Sequence, residues 1–325
     1  MAKDRAADRN LALESVRVTE AAAIAASRFM GSGDEKAADQ AAVQAMHKAL
    51  KRLAIGGTVR IGEGAKGDAE ELYVGEKIGT GDGPKVDIAL VALEGTTIVA
   101  RGGPNAMAVL AMAEDGGFLT VPRIYMDKIA VGPGLPDGVV DLDAAPAENL
   151  KNLAKAKNVS VGDLVVCMLD RPRHAELIAK TREAGARIRL ILDGDVSGVI
   201  AATQPEAGVD IFLGIGGAPQ GVLAAAALRG VGGQMQGRLV FRNNDEKGAA
   251  QSLGIQELDK KYSVAEMASG NVTFAATGVT YSAMLEGVRH VPGGAITHSM
   301  VLRSMTGTVR FIKGHHDFIR WPEKS

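Results

Sequence analysis

The stretch LVVCMLDRPRHAELIAKTREAGARIRLILDGDVSGVIAATQPEAGVDIFLGIGGAPQGVLAAAAL, residues 164–228, decides the fold class. Strand-like runs at Leu164–Leu169, Arg187–Leu192 and Val209–Leu213 alternate with helical segments at His174–Glu183, Val196–Ala202 and Gln220–Leu228. Strands and helices alternating at this size predict parallel βαβ units. Ligands of open α/β sheets bind at the carboxyl ends of the strands. Three loops stand there: Asp170-Arg-Pro-Arg-His174, Asp193-Gly-Asp-Val-Ser-Gly198 and Gly214-Ile-Gly-Gly-Ala-Pro-Gln-Gly221. Arg171 and Arg173 can fork onto phosphate oxygens. Asp193 and Asp195 can accept from sugar hydroxyls, and Gly214–Gly221 offers backbone N–H groups to an anion at a helix start. A dinucleotide fingerprint is excluded, because the spacing is not G-x-G-x-x-G and no acid follows about 20 residues on.

Upstream the pattern is less regular and predicts a mixed sheet with helices. Residues 11–30 carry an apolar helical stripe that Gly31-Ser-Gly ends, and a second helix is expected from Ala37 to about Leu53. Thr58–Ile61 reads as a strand leading into Gly62-Glu63-Gly64, and the apolar run Val86–Leu93 ends in Glu94-Gly95-Thr96. Alanine-rich Asn105–Ala113 predicts a helix, and Phe118–Val121 and Lys128–Val131 predict short strands. Turn formers at Gly132–Gly138 and the segment Asp141–Asn158 suggest a boundary, dividing the chain into residues 1–158 and 159–325. Arg242–Gln251 reads as a polar, exposed excursion.

Composition narrows the function classes. The 325 residues include 41 glycines, 4% aromatics, 37 Lys+Arg and 38 Asp+Glu, for a net charge of −1. This excludes a coiled coil, a disordered chain and a collagen-like repeat. It offers no long-range attraction to nucleic acid or anionic lipid. The single cysteine, Cys167, excludes a disulfide framework and a Cys-based zinc site, and its apolar neighbours make it a buried, inert thiol. Met1–Asn10 has no apolar leader core, and no apolar stretch reaches the ~20 residues of a membrane span. A cytoplasmic protein is expected.

Acids gather at element ends. Asp34, Glu35 and Asp39 lie at a helix start, where Asp34 reads as a cap. Glu63 and Glu94 adjoin glycines that let backbone approach a ligand. Such carboxylates suit a hard divalent cation, which also takes water and phosphate oxygens. His174 reads as a helix-start residue rather than a base, and the tail pair His315-His316 as no metal site.

Long colinear strings then carry a resemblance. They include Arg17-Val-Thr-Glu, Ala38-Asp-Gln-Ala-Ala-Val, Gly57-Thr-Val-Arg-Ile-Gly-Glu-Gly, Leu72-Tyr-Val-Gly-Glu-Lys-Ile-Gly, Tyr125-Met-Asp-Lys, Arg171-Pro-Arg-His, Asp193-Gly-Asp-Val, Gly214-Ile-Gly-Gly-Ala-Pro and Ala276-Thr-Gly-Val-Thr. Over nearly its whole length the chain resembles the class II (GlpX-type) fructose-1,6-bisphosphatases of the metal-dependent sugar phosphatases. The resemblance implies an α/β fold with αβαβα layering. It implies hydrolysis of fructose 1,6-bisphosphate in gluconeogenesis, with Mn²⁺ or Mg²⁺, by a homodimer or homotetramer. Residues 1–158 would be the metal-binding phosphatase domain and 159–325 the sugar-phosphate domain. By position, Asp39 and Glu63 match one metal site and Glu94 a ligand of a second. Glu94, Gly95 and Thr96 match a substrate loop in which Thr96 helps orient the attacking water. Tyr125, Arg171, Arg173, Asp193, Asp195 and Gly217 match substrate-binding positions.

The chain also departs from that pattern. Val91 stands where the family has a metal-binding Asp, and Gln220 where it has a Glu ligand. Gly67 replaces an Asp that helps activate water, with Asp68 next door as a substitute base, and Glu35 occupies a frequent Lys position. The second metal is therefore expected to bind weakly or only with substrate. The alternatives are a metal-site-depleted paralogue that binds sugar phosphate without turnover, and a phosphatase for another sugar phosphate such as sedoheptulose bisphosphate.

Overall fold

The computed structural model describes residues 2–320, with side chains at 11–320. The expectation about residues 1–10 concerns side chains outside the described ones. In chain order the first elements are α1 (Ala2–Ser27), α2 (Glu35–Leu50), β1 (Gly56–Ile61), β2 (Lys77–Ile78), β3 (Lys85–Glu94), α3 (Thr96–Arg101) and β4 (Met107–Glu114). Then come β5 (Tyr125–Val131), α4 (Pro146–Lys157), β6 (Val165–Leu169), α5 (Ala175–Glu183), β7 (Arg187–Ile191), α6 (Asp195–Ala201), β8 (Ile211–Gly217), α7 (Ala218–Val231), β9 (Gln234–Val240), α8 (Asn244–Ser252), β10 (Lys261–Ser263) and α9 (Val264–Met267). The last are β11 (Val272–Gly278), β12 (Arg289–Val291), β13 (Gly294–Arg303) and β14 (Thr308–Asp317). Two units result: residues 1–118 with 270–325, and residues 119–269.

The first unit is a mixed sheet in the order β12-β13-β11-β4-β3-β1-β2, with β14 on β13. β1 and β3 are parallel, and the other pairs are antiparallel. Small side chains let the helices approach it closely. Val18, Ala22 and Ala26 of α1 and Ala38, Ala42 and Met46 of α2 share one core with Ile88, Leu90 and Leu110. A buried hydroxyl chain crosses from helix to sheet, Thr19 to Thr277 and Thr277 to Ser299, each at 2.8 Å.

The second unit is also mixed, in the order β10-β9-β5-β8-β6-β7. β7, β6 and β8 form the expected parallel set. β5, β9 and β10 add an antiparallel half that the local pattern did not announce.

Four expectations are corrected. Asn105–Ala113 is not a helix but contains most of β4, a central strand bonded to both β3 and β11 and buried on both faces. Its alanines suit a helix alone, but pairing on two edges outweighs that weak local preference. Phe118–Val121 forms no strand of either sheet. Arg242–Gln251 is mostly exposed, as expected, but largely helical rather than irregular, because Asn243 caps α8 by accepting from the Glu246 N–H at 2.9 Å. The division at 158/159 moves, since β5 bonds to β8 and β9 while β11–β14 return to the first sheet. No helix among the described residues is long and apolar enough to cross a membrane.

Candidate active site

In the first unit, parallel pairing of β1 and β3 brings Gly62-Glu63-Gly64 and Glu94-Gly95-Thr96 to the same carboxyl edge of the sheet. A bulge shapes that edge. Val91 pairs with Val109 and Glu94 with Met107, so Ala92 and Leu93 stand opposite the single Ala108. Bulges interrupt the ladder and re-aim side chains. The Ala92 N–H donates instead to Glu63 Oε1 at 2.7 Å, which ties Glu63 to the end of β3. Glu94 is buried, at 5% exposure. Gly95 turns the chain at φ +96°, and Thr96 opens α3. The turn before α2 is fastened to α3, with Gly31 N–H on Val99 O and Gly33 N–H on Ala100 O, each at 2.9 Å. That turn delivers Asp34, whose side chain accepts from the Ala37 N–H at 2.9 Å as the expected cap. Asp39 follows on α2, half-buried, and burial raises its carboxyl above the ordinary aspartate range.

Asp68 lies exposed on the loop that follows, and Gly67 turns there at φ +102°. An L side chain is strained at that φ, so the local backbone suits Gly67 rather than an acid. Val91 is half-buried hydrocarbon on β3 and cannot ligate. Among the described residues no three His, Cys, Asp or Glu side chains form a group that could hold a metal by itself. A hard cation at this edge would have one or two carboxylates and would need water and phosphate oxygens to complete its shell.

In the second unit, β8 runs on through Gly217, paired with β5 as far as Tyr125. Gly214–Gly217 is thus strand rather than the open loop expected, and α7 starts at Ala218, whose N–H is already taken by Ile124 O at 2.8 Å. On its other edge β8 pairs with β6 only at Ile211 and Phe212. Beyond that the strands splay, and side chains fill the vacated edge. His174, 1% exposed, accepts from the Ile215 N–H through Nε2 at 2.8 Å, with Nδ1 2.8 Å from Leu169 O. It is structural, as expected. Arg173 Nε donates to Ile215 O at 2.9 Å, and its guanidinium lies 4.8 Å from the centre of the Tyr125 ring. A second guanidinium, that of Arg242, rests 5.3 Å from the same ring. Glu246 aims it, accepting from Arg242 Nε and from the Arg242 backbone N–H at 2.7 Å each. Arg171 donates to Asp170 O at 3.1 Å.

The face of the sheet that carries Lys128 holds the largest surprise. Lys128 is fully buried and donates to the Asp195 carboxylate and, at 3.0 Å, to Gly217 O. It therefore holds two of the expected substrate residues. A Cβ at Gly216 would overlap Asp195, so glycine is required for this close approach. Asp193 accepts from the Gly194 N–H at 2.9 Å. Gln220 folds back over Gly217, where a Cβ would overlap its Oε1. Cys167 is buried, and burial pushes its thiol up to about 12, so it is inert as expected.

Sequence reasoning missed Lys128 and Arg242. Lys128 had a usable signal: Met126, Lys128 and Ala130 share a buried strand face, and a lysine there demands a buried acid. Arg242 was hidden in a segment read as solvated charge.

Comparison with known proteins identifies the family. A family described as bacterial fructose-1,6-bisphosphatase, glpX-encoded, matches residues 9–316. A D-fructose 1,6-bisphosphatase class 2/sedoheptulose 1,7-bisphosphatase of Trichodesmium erythraeum (strain IMS101) is 40% identical, over 96% of this chain and 97% of that protein. A protein of the same name from Synechococcus sp. (strain JA-2-3B'a(2-13)) is 42% identical, over 95% of this chain and 96% of its own length. With the match running from α1 to β14, the chain belongs to the glpX-encoded bacterial fructose-1,6-bisphosphatase family.

Proposed function

We propose that this chain is a phosphatase that hydrolyses fructose 1,6-bisphosphate to fructose 6-phosphate and phosphate, as in gluconeogenesis. The observation that carries the reading is the pair of guanidinium groups, Arg173 and Arg242, at the Tyr125 ring beside the splayed end of β8. Two guanidinium groups there, that of Arg242 paired with Glu246, suit a phosphate, and forked donors match its oxygens. Arg171 adds a third, and Asp193 and Asp195 offer acceptors to sugar hydroxyls. The relatives named above bear the same activity in their names.

In the first unit Asp39 and Glu63 would hold one Mn²⁺ or Mg²⁺ and Glu94 would contribute to a second, since both ions suit carboxylate and water ligands. Such a cation neutralises charge on phosphoryl oxygens. The Glu94 carboxylate and the Thr96 hydroxyl orient the attacking water by hydrogen bonds, and Asp68 accepts its proton once the loop carries it inward. The first unit thus serves as the metal-binding half and the second as the sugar-phosphate half. The αβαβα layering, a homodimer or homotetramer, and a cytoplasmic location belong to the same reading.

A second reading is favoured by Val91, Gln220 and Gly67: binding of sugar phosphate without turnover. One assay separates the two. Phosphate release from fructose 1,6-bisphosphate with Mn²⁺ or Mg²⁺ is measured for the native chain and for the double variant Val91→Asp/Gln220→Glu, with sedoheptulose 1,7-bisphosphate run in parallel. Turnover by the native chain is expected. An inactive native chain beside an active double variant would establish the non-catalytic reading.

Arg171→Ala tests the substrate hold. Loss of one forked phosphate contact is expected to weaken bisphosphate binding by about tenfold or more, with little change for inorganic phosphate. Equal effects on both, measured by calorimetry, would remove Arg171 from the site.

A further inference from the structure

His47 lies on α2, the helix that carries Asp39, and takes no part in the chemistry above. Its side chain is 9% exposed. Nδ1 stands 2.9 Å from Glu71 Oε1, and Nε2 stands 2.8 Å from Glu76 Oε1. A neutral imidazole has one donor and one acceptor nitrogen. Between two carboxylates, its acceptor nitrogen would face an oxygen lone pair. Two carboxylate oxygens within 2.9 Å of the two ring nitrogens suit a positive ring better than a neutral one.

The contacts continue from there. The other oxygen of Glu76 accepts from the Leu72 N–H at 2.6 Å. Leu72 is fully buried at φ +57°, a conformation uncommon for a side chain of its size. Its carbonyl accepts from the Glu63 N–H at 3.0 Å, and the Val74 N–H donates to Gly64 O at 2.9 Å. A Cβ at Gly62 would overlap the same Leu72 carbonyl, so the two strands of this loop are pressed together. An unbroken path thus runs from the imidazole through Glu76 and Leu72 to the backbone of Glu63.

We infer that His47, clasped as an imidazolium by Glu71 and Glu76, is a positioning residue that holds the 62–76 loop against α2 and so sets the Glu63 carboxylate. The significance of Glu63 rests on the phosphatase reading, whereas the clasp itself does not. Charge is the active property. A side chain that fills the space without a positive charge leaves the largely buried Glu76 carboxylate and the partly exposed Glu71 carboxylate facing each other, and the cheapest relief is for the loop to open.

The test compares amide hydrogen exchange in the native chain, His47→Gln and His47→Arg. In His47→Gln the amides of Glu63, Leu72 and Val74 are expected to exchange about tenfold faster or more, with β11 and β13 unaffected. His47→Arg keeps the charge and a fork of donors, and should return these amides to within about threefold of native. Mn²⁺ binding in the presence of fructose 1,6-bisphosphate, read by electron paramagnetic resonance, should weaken about tenfold in His47→Gln and recover in His47→Arg, as for other residues that orient metal ligands. Native exchange at these amides in a folded His47→Gln protein overturns the inference. So does equal acceleration in both variants, which would make ring shape rather than charge the cause. Should His47→Gln fail to fold, Glu71→Gln keeps the Glu76 arm and is expected to give a smaller acceleration of about threefold, with no acceleration counting against the clasp. Faster exchange in His47→Gln, together with a native chain that neither binds Mn²⁺ nor releases phosphate, would uphold the clasp and overturn the phosphatase reading.

Discussion

Replacing Lys128 with methionine is expected to lower the melting temperature by about 10 °C and to abolish measurable binding of the sugar bisphosphate. Methionine can fill most of the space left by the lysine stem, so little of this cost comes from a cavity. The cost comes from Asp195, which is 5% exposed and would keep a charge with no cation beside it. Breaking a buried pair from one side typically costs about 3–5 kcal/mol, whereas removing both charges costs far less. The double variant Lys128→Met/Asp195→Asn should therefore recover much of the melting temperature without recovering binding, because Gly217 O has still lost its donor. Thermal melts of the three proteins and calorimetric titration with fructose 1,6-bisphosphate decide the matter. A Lys128→Met protein that melts with the native chain would mean that the ammonium group is not what fixes Asp195.

Glu94→Ala is expected to reduce phosphate release by about 10²-fold or more, because the carboxylate that orients the attacking water is lost. Glu94→Gln, which keeps the shape, should be as inactive as alanine. Residual activity in Glu94→Gln close to native would show that the carboxylate charge takes no part in the chemistry.

The readable features of this sequence were those decided within a few residues. The parallel set β6, β7 and β8 followed from alternation, and the Asp34 cap from its place before α2. Glu63 and Glu94 drew attention because charged residues at the tips of apolar strands, beside glycine, are costly without a reason. Features decided by distant partners were not readable. β4 carries alanine-rich local chemistry that suits a helix, and only β3 and β11 on its two edges make it a strand. The unit boundary was misplaced for the same cause, since β11 joins β4 across more than 150 residues of intervening chain. Lys128, His47 and Arg242 escaped because each owes its role to side chains supplied by other elements.

The way the first sheet is completed bears on how this protein must be made. The second unit is continuous in sequence, so every strand partner it needs has left the ribosome once residue 269 has emerged. The first sheet is still missing β11 through β14 at that moment, and β4 waits with one edge unbonded and both faces apolar. Such an edge is a template for pairing with other chains. Nascent or truncated polypeptides that stop short of Val272 should therefore depend on chaperones and collect in aggregates, even though most of the chain has by then been synthesised.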